Sequence, residues 1–123
     1  MRYIQIKMNI FKAYNYLIES EDTDRLRKIF VRYEFFKKTQ SVPGDIIECG
    51  VFKGTGHIFW LKLLKIFDEH SIKKVIGFDT FENFSDSILE YEKKSAKKFT
   101  KDANYNKNVS VKEINKKISN LGL

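Results

Sequence analysis

Two acidic residues, Glu48 and Asp79, each follow a short apolar run, and three closely spaced glycines, Gly50, Gly54 and Gly56, follow the first. The stretch reads Pro43-Gly44-Asp45-Ile46-Ile47-Glu48-Cys49-Gly50-Val51-Phe52-Lys53-Gly54-Thr55-Gly56 and closes at Gly77-Phe78-Asp79-Thr80-Phe81. This pattern predicts strand, glycine-rich turn, helix and strand, a βαβ unit of the kind that builds a nucleotide pocket. Glycines let the backbone approach a ligand closely, and a helix N-terminus supplies N–H donors. A carboxylate beyond the second strand can accept hydrogen bonds from a ribose diol. A carboxylate before the first glycine suits a ligand that carries an amine.

That first acid separates two nucleotide classes. A dinucleotide brings a pyrophosphate and favours G-x-G-x-x-G with no negative charge crowding the turn. S-adenosylmethionine has no phosphate; its methionine end carries an ammonium and a carboxylate, and its sulfonium is cationic. The glycines here fall as Gly50-x-x-x-Gly54-x-Gly56 behind Glu48, which departs from the dinucleotide pattern. Three glycines in seven residues also make an ordinary tight turn, so the spacing alone leaves a purely structural turn open.

At these residues the chain resembles the macrocin O-methyltransferase (TylF-like) family of class I S-adenosylmethionine-dependent methyltransferases. The likeness rests on residues 43–54 and on Lys74-Val75-Ile76-Gly77-Phe78-Asp79-Thr80-Phe81. It extends back to Arg32-Tyr33-Glu34-Phe35-Phe36 and forward, more loosely, to Ile118-Ser119-Asn120-Leu121-Gly122-Leu123. Gly54-Thr55-Gly56 departs mildly, since family members often have a second small residue and then Ser or Thr there. The resemblance implies an α/β, Rossmann-like class I methyltransferase fold, of which this chain would be the N-terminal portion, truncated or one part of a split reading frame. A whole domain of that class is about twice as long and has seven strands. The missing part would carry the acidic base and a divalent metal such as magnesium, so no residue here is assigned as catalytic or as a metal ligand. By itself the chain would then show no methyl transfer and would expose apolar surface where later strands pair.

The resemblance also implies the cofactor-binding set. Glu48, Cys49, Gly50, Val51, Gly54 and Thr55 would surround the methionine end of S-adenosylmethionine, Asp79 would take the ribose, and Thr80 and Phe81 would flank the adenosine. The acceptor would be a hydroxyl of a sugar or sugar-containing small molecule. For Glu48 the alternative is a strand-end carboxylate bonded to nearby backbone N–H groups, and for Asp79 a helix or turn cap. His57, in the first turn of the helix after the glycines, is either at the cofactor's edge or a surface or packing histidine. Cys49 is the single cysteine, which excludes an intramolecular disulfide. At a strand end it is expected to be buried as a small hydrophobe.

The elements that must hold these residues are legible in outline. Residues 9–20 have Ile10, Phe11, Tyr14 and Leu17 at helical spacing; a second helix, capped by Asp22 or Thr23, repeats Leu26, Ile29, Phe30, Tyr33 and Phe36. This aromatic stripe reads as core first, packed against the sheet, and then as a homodimer surface, which the family resemblance also implies. Residues 1–43 would form a helical cap, and residues 44–123 the cofactor-binding unit. Strands are predicted over 45–49 and 73–78, joined by a broadly apolar helix over 55–69. A loop over 80–86 would lead, at Ser85 or Asp86, into a lysine-rich helix reaching about Phe99. Ser110 and Glu113 form a capping box, with Val109 and Ile114 as its staple and Gly122 at the far end.

Composition narrows the function classes. The chain has 123 residues, 42% of them apolar, and a formal charge of +7, enough for one modest core. The positive charge lies in the flanks, whereas residues 44–89 carry five Lys and Arg against seven acids. A nucleic-acid module would use such flanks, but the lysines are spaced along helices with no stacking aromatics between them. They read as solvated faces, giving only weak, sequence-independent affinity for DNA. No apolar run reaches the roughly 18 residues that span a bilayer, and the first residues lack a signal-peptide core, so a cytoplasmic protein is expected. A non-enzymatic remnant or regulatory fragment of a methyltransferase remains open at this stage, as does a basic nucleic-acid-binding module.

Overall fold

Two four-residue strands, β1 (Ile46–Cys49) and β2 (Val75–Phe78), run parallel, with Ile46 opposite Val75 and Cys49 opposite Phe78. In this computed structural model the described residues are 9–82, 89–102 and 109–123. Parallel pairing needs a crossover, and α3 (Thr55–Phe67) supplies it and packs on β2. The described residues are therefore mixed helix with a small parallel sheet, an α/β arrangement. They fall into two compact units that meet in sequence at Pro43 and Gly44.

In the second unit, side chains alternate across the sheet as a strand's period of two requires. Ile46, Glu48, Val75 and Gly77 are half-buried, while Ile47, Cys49, Ile76 and Phe78 are exposed. The buried apolar residues here are Val51, Leu63, Leu64 and Ile114. Cys49 is thus exposed, not buried as its strand-end position predicts. The reason is register: it shares a face with Ile47, the face of β1 that remains accessible. The expected broad burial of α3 is likewise only partial, for Ile66 and Phe67 are exposed.

Side chains close the end of the sheet where the strands begin. The Lys74 N–H donates to Asp45 Oδ1 at 2.8 Å and the Ile46 N–H to the Lys74 carbonyl at 2.9 Å. Asp45 therefore ends the ladder with its carboxylate, and β1 starts one residue later than predicted. Beyond β2, α4 (Glu90–Asp102) begins after the non-helical Leu89 and runs past Phe99. The predicted start at Ser85 or Asp86 lies outside the described residues.

The last helix, α5 (Val111–Asn120), has both bonds of its capping box. The Glu113 N–H donates to Ser110 Oγ at 3.2 Å, and the Ser110 N–H to Glu113 Oε2 at 2.9 Å. Its other end is a Schellman turn, with Gly122 at φ 63°, its N–H on the Ser119 carbonyl and the Leu123 N–H on the Ile118 carbonyl. Lys65 Nζ of α3 donates to the Gly122 carbonyl at 2.9 Å. These end contacts hold Ile114 against Gly54. Ser110→Ala should cost about 1 kcal/mol, read as a lowered urea midpoint, and an unchanged midpoint would mean that α5 is held by Ile114 alone.

The first unit contains α1 (Ile10–Glu19) and α2 (Thr23–Thr39), capped by the side chains of Asn9 and Asp22, the second being one of the two caps expected for its helix. Phe36 is 2% exposed, but Ile10, Phe11, Tyr14 and Phe30 are all exposed. The aromatic stripe is therefore core at Phe36 and surface at most of its other ring positions. Helical periodicity marks a face as apolar; it does not supply a partner for the whole face.

Candidate functional site

The site is built where β1 and β2 end. The Gly50 N–H donates to the Phe78 carbonyl at 2.8 Å, extending the parallel ladder by one bond. Gly50 then takes φ 88°, and a Cβ there would meet nothing within 4 Å. This glycine serves the backbone conformation, and the space before it is open. Val51 turns inward and is 5% exposed, and the Gly54 N–H closes the turn on its carbonyl at 2.9 Å. Gly54, at φ 81°, is the N-cap of α3 and offers no side-chain acceptor to the first turn. A Cβ at Gly54 would lie 3.1 Å from Ile114 Cγ2, so α5 packs directly against the turn.

Asp79 ties this turn to the end of β2. Its Oδ2 accepts the Phe52 N–H and its Oδ1 accepts the Phe81 N–H, each at 2.8 Å. Both donors are left-handed residues, with φ 52° at Phe52 and φ 55° at Phe81. That conformation is uncommon for residues with a side chain and persists only where its surroundings enforce it. One carboxylate enforces both. The Phe52 N–H above all, then those of Phe81, Val51 and Thr80, hold the Asp79 carboxyl below its ordinary range, against a smaller opposing effect of burial.

Glu48 lies on the inward face of β1. Its Oε2 is 3.4 Å from His57 Nδ1, and each side chain is only 12% exposed. The approach is off the direction of a hydrogen bond. Gly77 makes room for this contact: a Cβ on it would stand 2.6 Å from Val51 Cγ2 and 3.1 Å from His57 Nδ1. On the other side of the turn, the Phe52 and Phe99 rings meet at 5.3 Å with their planes tilted by 54°. Lys117 Nζ of α5 reaches the Lys53 carbonyl at 3.5 Å.

The structure thus gathers the backbone of residues 48–55 and of residues 79–81 at one end of the sheet. Thr55 is exposed in the first turn of α3, and Thr80 is exposed with its Oγ1 accepting the Glu82 N–H at 3.3 Å. The Cys49 side chain points to the opposite face from Glu48, so only its backbone belongs to this end. Val51 contributes packing. Sequence reasoning did not single out Phe52, Gly77 or Phe99. A glycine inside a strand run signals close backbone approach, which could have found Gly77. A left-handed phenylalanine has no such signature.

Among the described residues no group of three or more His, Cys, Asp or Glu could hold a metal ion, and no helix is long and apolar enough to cross a membrane. A separate groove of about 310 Å³, between Leu64, Lys65, Asp68, Ser71, Lys73 and Leu123, lies at the far end of α3 and includes none of the residues above.

The family model of the macrocin O-methyltransferases (TylF) matches residues 21–123. No curated protein and no solved structure matches the chain. Methyltransferases of such a family use S-adenosylmethionine in general, and the matched residues include the whole glycine turn, both strands and both acids. With that match over most of its length, the chain belongs to the macrocin O-methyltransferase (TylF) family.

Proposed function

We propose that the chain binds S-adenosylmethionine at the carboxyl ends of β1 and β2, as part of a Rossmann-like unit. It would serve methyl transfer to a hydroxyl of a sugar or sugar-containing small molecule. The observation that carries this reading is the juxtaposition of two acids of different setting around an open glycine turn. Glu48 is a nearly buried carboxylate beside Gly50, fitting an ammonium group. Gly50 leaves open space where a side chain would stand, and the first turn of α3 has no side-chain cap, which fits a carboxylate among backbone N–H groups. Asp79 Oδ2 accepts the Phe52 N–H and its Oδ1 the Phe81 N–H, which fixes the orientation of a carboxylate that would accept from ribose hydroxyls.

The donors around the glycine turn, one nearly buried carboxylate, a second carboxylate at the strand end and free helix N–H groups, are of the kinds the cofactor's ammonium, ribose and carboxylate call for. When bound, S-adenosylmethionine supplies an electrophilic methyl group on a sulfonium. The chain's own contribution is positional. Glu48 would fix the methionine end, Asp79 the ribose, and Phe52 and Phe81 would hold the backbone that shapes the turn. Positioning donor and acceptor in line and excluding water are the main levers for a direct displacement. Family membership favours this reading over a nucleic-acid module or a dinucleotide site.

Titration calorimetry with S-adenosylmethionine tests it. Wild-type chain should bind, and Glu48→Gln should weaken binding by roughly tenfold to a hundredfold, the loss of a charge-assisted contact to an ammonium. Binding that is unaltered in Glu48→Gln would remove Glu48 from the site, and tighter binding of a dinucleotide than of S-adenosylmethionine would overturn the reading.

A further inference from the structure

The turn that carries the candidate site is held from outside itself, residue by residue. Gly50 is bonded to the end of β2, and Gly54 is packed against Ile114 of α5. Between them stands Phe52, left-handed at φ 52°, with its N–H on Asp79. That bond holds the backbone of the residue; the side chain is held from elsewhere. The Phe99 ring of α4 lies 5.3 Å from the Phe52 ring with the planes at 54°, and Lys53 Nζ stands 5.5 Å from the centre of the same ring. Tilted rings at that separation attract one another beyond their burial, and an ammonium within about 6 Å of a ring adds to the hold. Phe99 is 46% exposed, so filling a core does not account for its place.

A left-handed phenylalanine is an uncommon state that persists only under restraint. Rotating Phe52 out of it moves both of its ends at once: the N–H leaves Asp79 and the ring leaves Phe99. The two contacts therefore support one another, although one partner follows β2 and the other sits on α4.

We propose that Phe99 is a positioning residue for the glycine turn: by setting its ring on Phe52, α4 holds residues 50–54 in the conformation that receives a ligand, so the docking of α4 and the occupancy of the turn favour each other. The inference deepens the cofactor reading given above and rests on it for the ligand's identity. Phe99 acts through Phe52 and not on the ligand. A ligand that binds only the left-handed turn gains affinity from whatever populates that turn. By linkage, its binding strengthens the ring contact in return.

Two measurements on the full chain decide the matter. The first needs no ligand: amide hydrogen exchange at Phe52 and Phe81 is followed by NMR in wild type, Phe99→Ala, Phe99→Leu and Phe99→Tyr. Both amides donate to Asp79 at 2.8 Å, so Phe81 reports a general loosening and Phe52 the ring contact. Phe99→Ala should speed exchange at Phe52 roughly fivefold, the loss expected for one aromatic pair, and at Phe81 by less. Phe99→Tyr keeps the ring and should match wild type. Phe99→Leu keeps apolar bulk without the ring; it should still speed Phe52, and it gives the comparison if the alanine variant does not fold. Equal acceleration at the two amides, or none at Phe52, would overturn the proposal.

The second is calorimetry with S-adenosylmethionine. Phe99→Ala should weaken binding roughly fivefold, Phe99→Tyr should restore it, and the loss should be smaller when Phe52 is already alanine. An unchanged affinity in Phe99→Ala, or the same loss in both backgrounds, would overturn the link to the ligand. If S-adenosylmethionine does not bind wild type, the cofactor reading and that link fall together, and the exchange rates still decide whether Phe99 positions the turn.

Discussion

Asp79→Ala should lower the stability of the chain by about 3 kcal/mol, the sum expected for two backbone N–H bonds to a charged carboxylate, and should also abolish S-adenosylmethionine binding. The size follows from what the carboxylate holds. Phe52 and Phe81 both occupy the left-handed region, and both present their N–H to Asp79 at 2.8 Å. Without the acceptor, two donors lose their partners and two strained residues lose the reason for their conformation. The turn between β1 and α3 would then relax away from β2. Urea unfolding followed by fluorescence of the single tryptophan, Trp60, gives the stability, and calorimetry gives the binding.

The acid dependence of stability provides a second signature of the same residue. The Asp79 carboxyl is held below the ordinary carboxylate range in the folded chain, chiefly by the Phe52 N–H. A carboxylate with a lowered folded value contributes stability that is complete above its unfolded value and is lost as pH falls through the folded one. The difference in stability between wild type and Asp79→Ala should therefore be constant above about pH 5 and should shrink below about pH 4. Glu82→Ala is the matched control, since Glu82 is exposed and only its backbone N–H takes part in the loop. Equal losses of S-adenosylmethionine affinity in Asp79→Ala and Glu82→Ala would remove Asp79 from the ribose role while leaving its part in the turn intact.

Gly77→Ala should be nearly as damaging, at about 2 kcal/mol, the usual cost of forcing a methyl group into a filled space. The added Cβ would stand 2.6 Å from Val51 Cγ2, a separation that cannot persist, and Val51 is 5% exposed with little room to move. His57, at 3.1 Å, would have to swing off Glu48 as well. Gly77 has none of the positive φ seen at Gly50 or Gly54, so the whole effect is one of contact. Gly50→Ala offers the opposite case, with nothing within 4 Å of its Cβ but a φ of 88°; its cost should be about 1 kcal/mol, from backbone strain alone. Paired unfolding curves compare them. A loss at Gly77 no greater than that at Gly50 would mean that the notch around His57 is looser than its distances state.

Local rules carried most of the element boundaries. Asn9, Asp22 and Ser110 are caps by their own side-chain chemistry, and each caps the helix that follows it. The glycine turn was legible at Gly50 and Gly54, and the end of α5 at Gly122, because these positions take positive φ, which the lack of a Cβ allows at little cost. The end of β2 was legible because Asp79 stops an apolar run. Each of these signals acts within a few residues, so the chain order contains it.

What the order of residues did not contain was everything that depends on which face meets which neighbour. Cys49 and Glu48 are adjacent, yet one is exposed and the other nearly buried, since consecutive strand residues point to opposite faces and the sheet pairing decides which face α3 covers. The aromatic stripe of α1 and α2 has the spacing of a core, yet only a partner surface could make it one, and Phe11, Tyr14 and Phe30 remain exposed. Phe52 gives no hint in its identity that it is left-handed, because the cause is Asp79, 27 residues away along the chain. The notch at Gly77 is of the same kind: it exists only once β2, Val51 and the first turn of α3 share one volume. The sequence by itself determined where the βαβ unit begins and turns and which acids end its strands. The tertiary structure alone decided that one acid braces the turn and the other faces a histidine, for those roles are set by distances between residues that no local preference brings together.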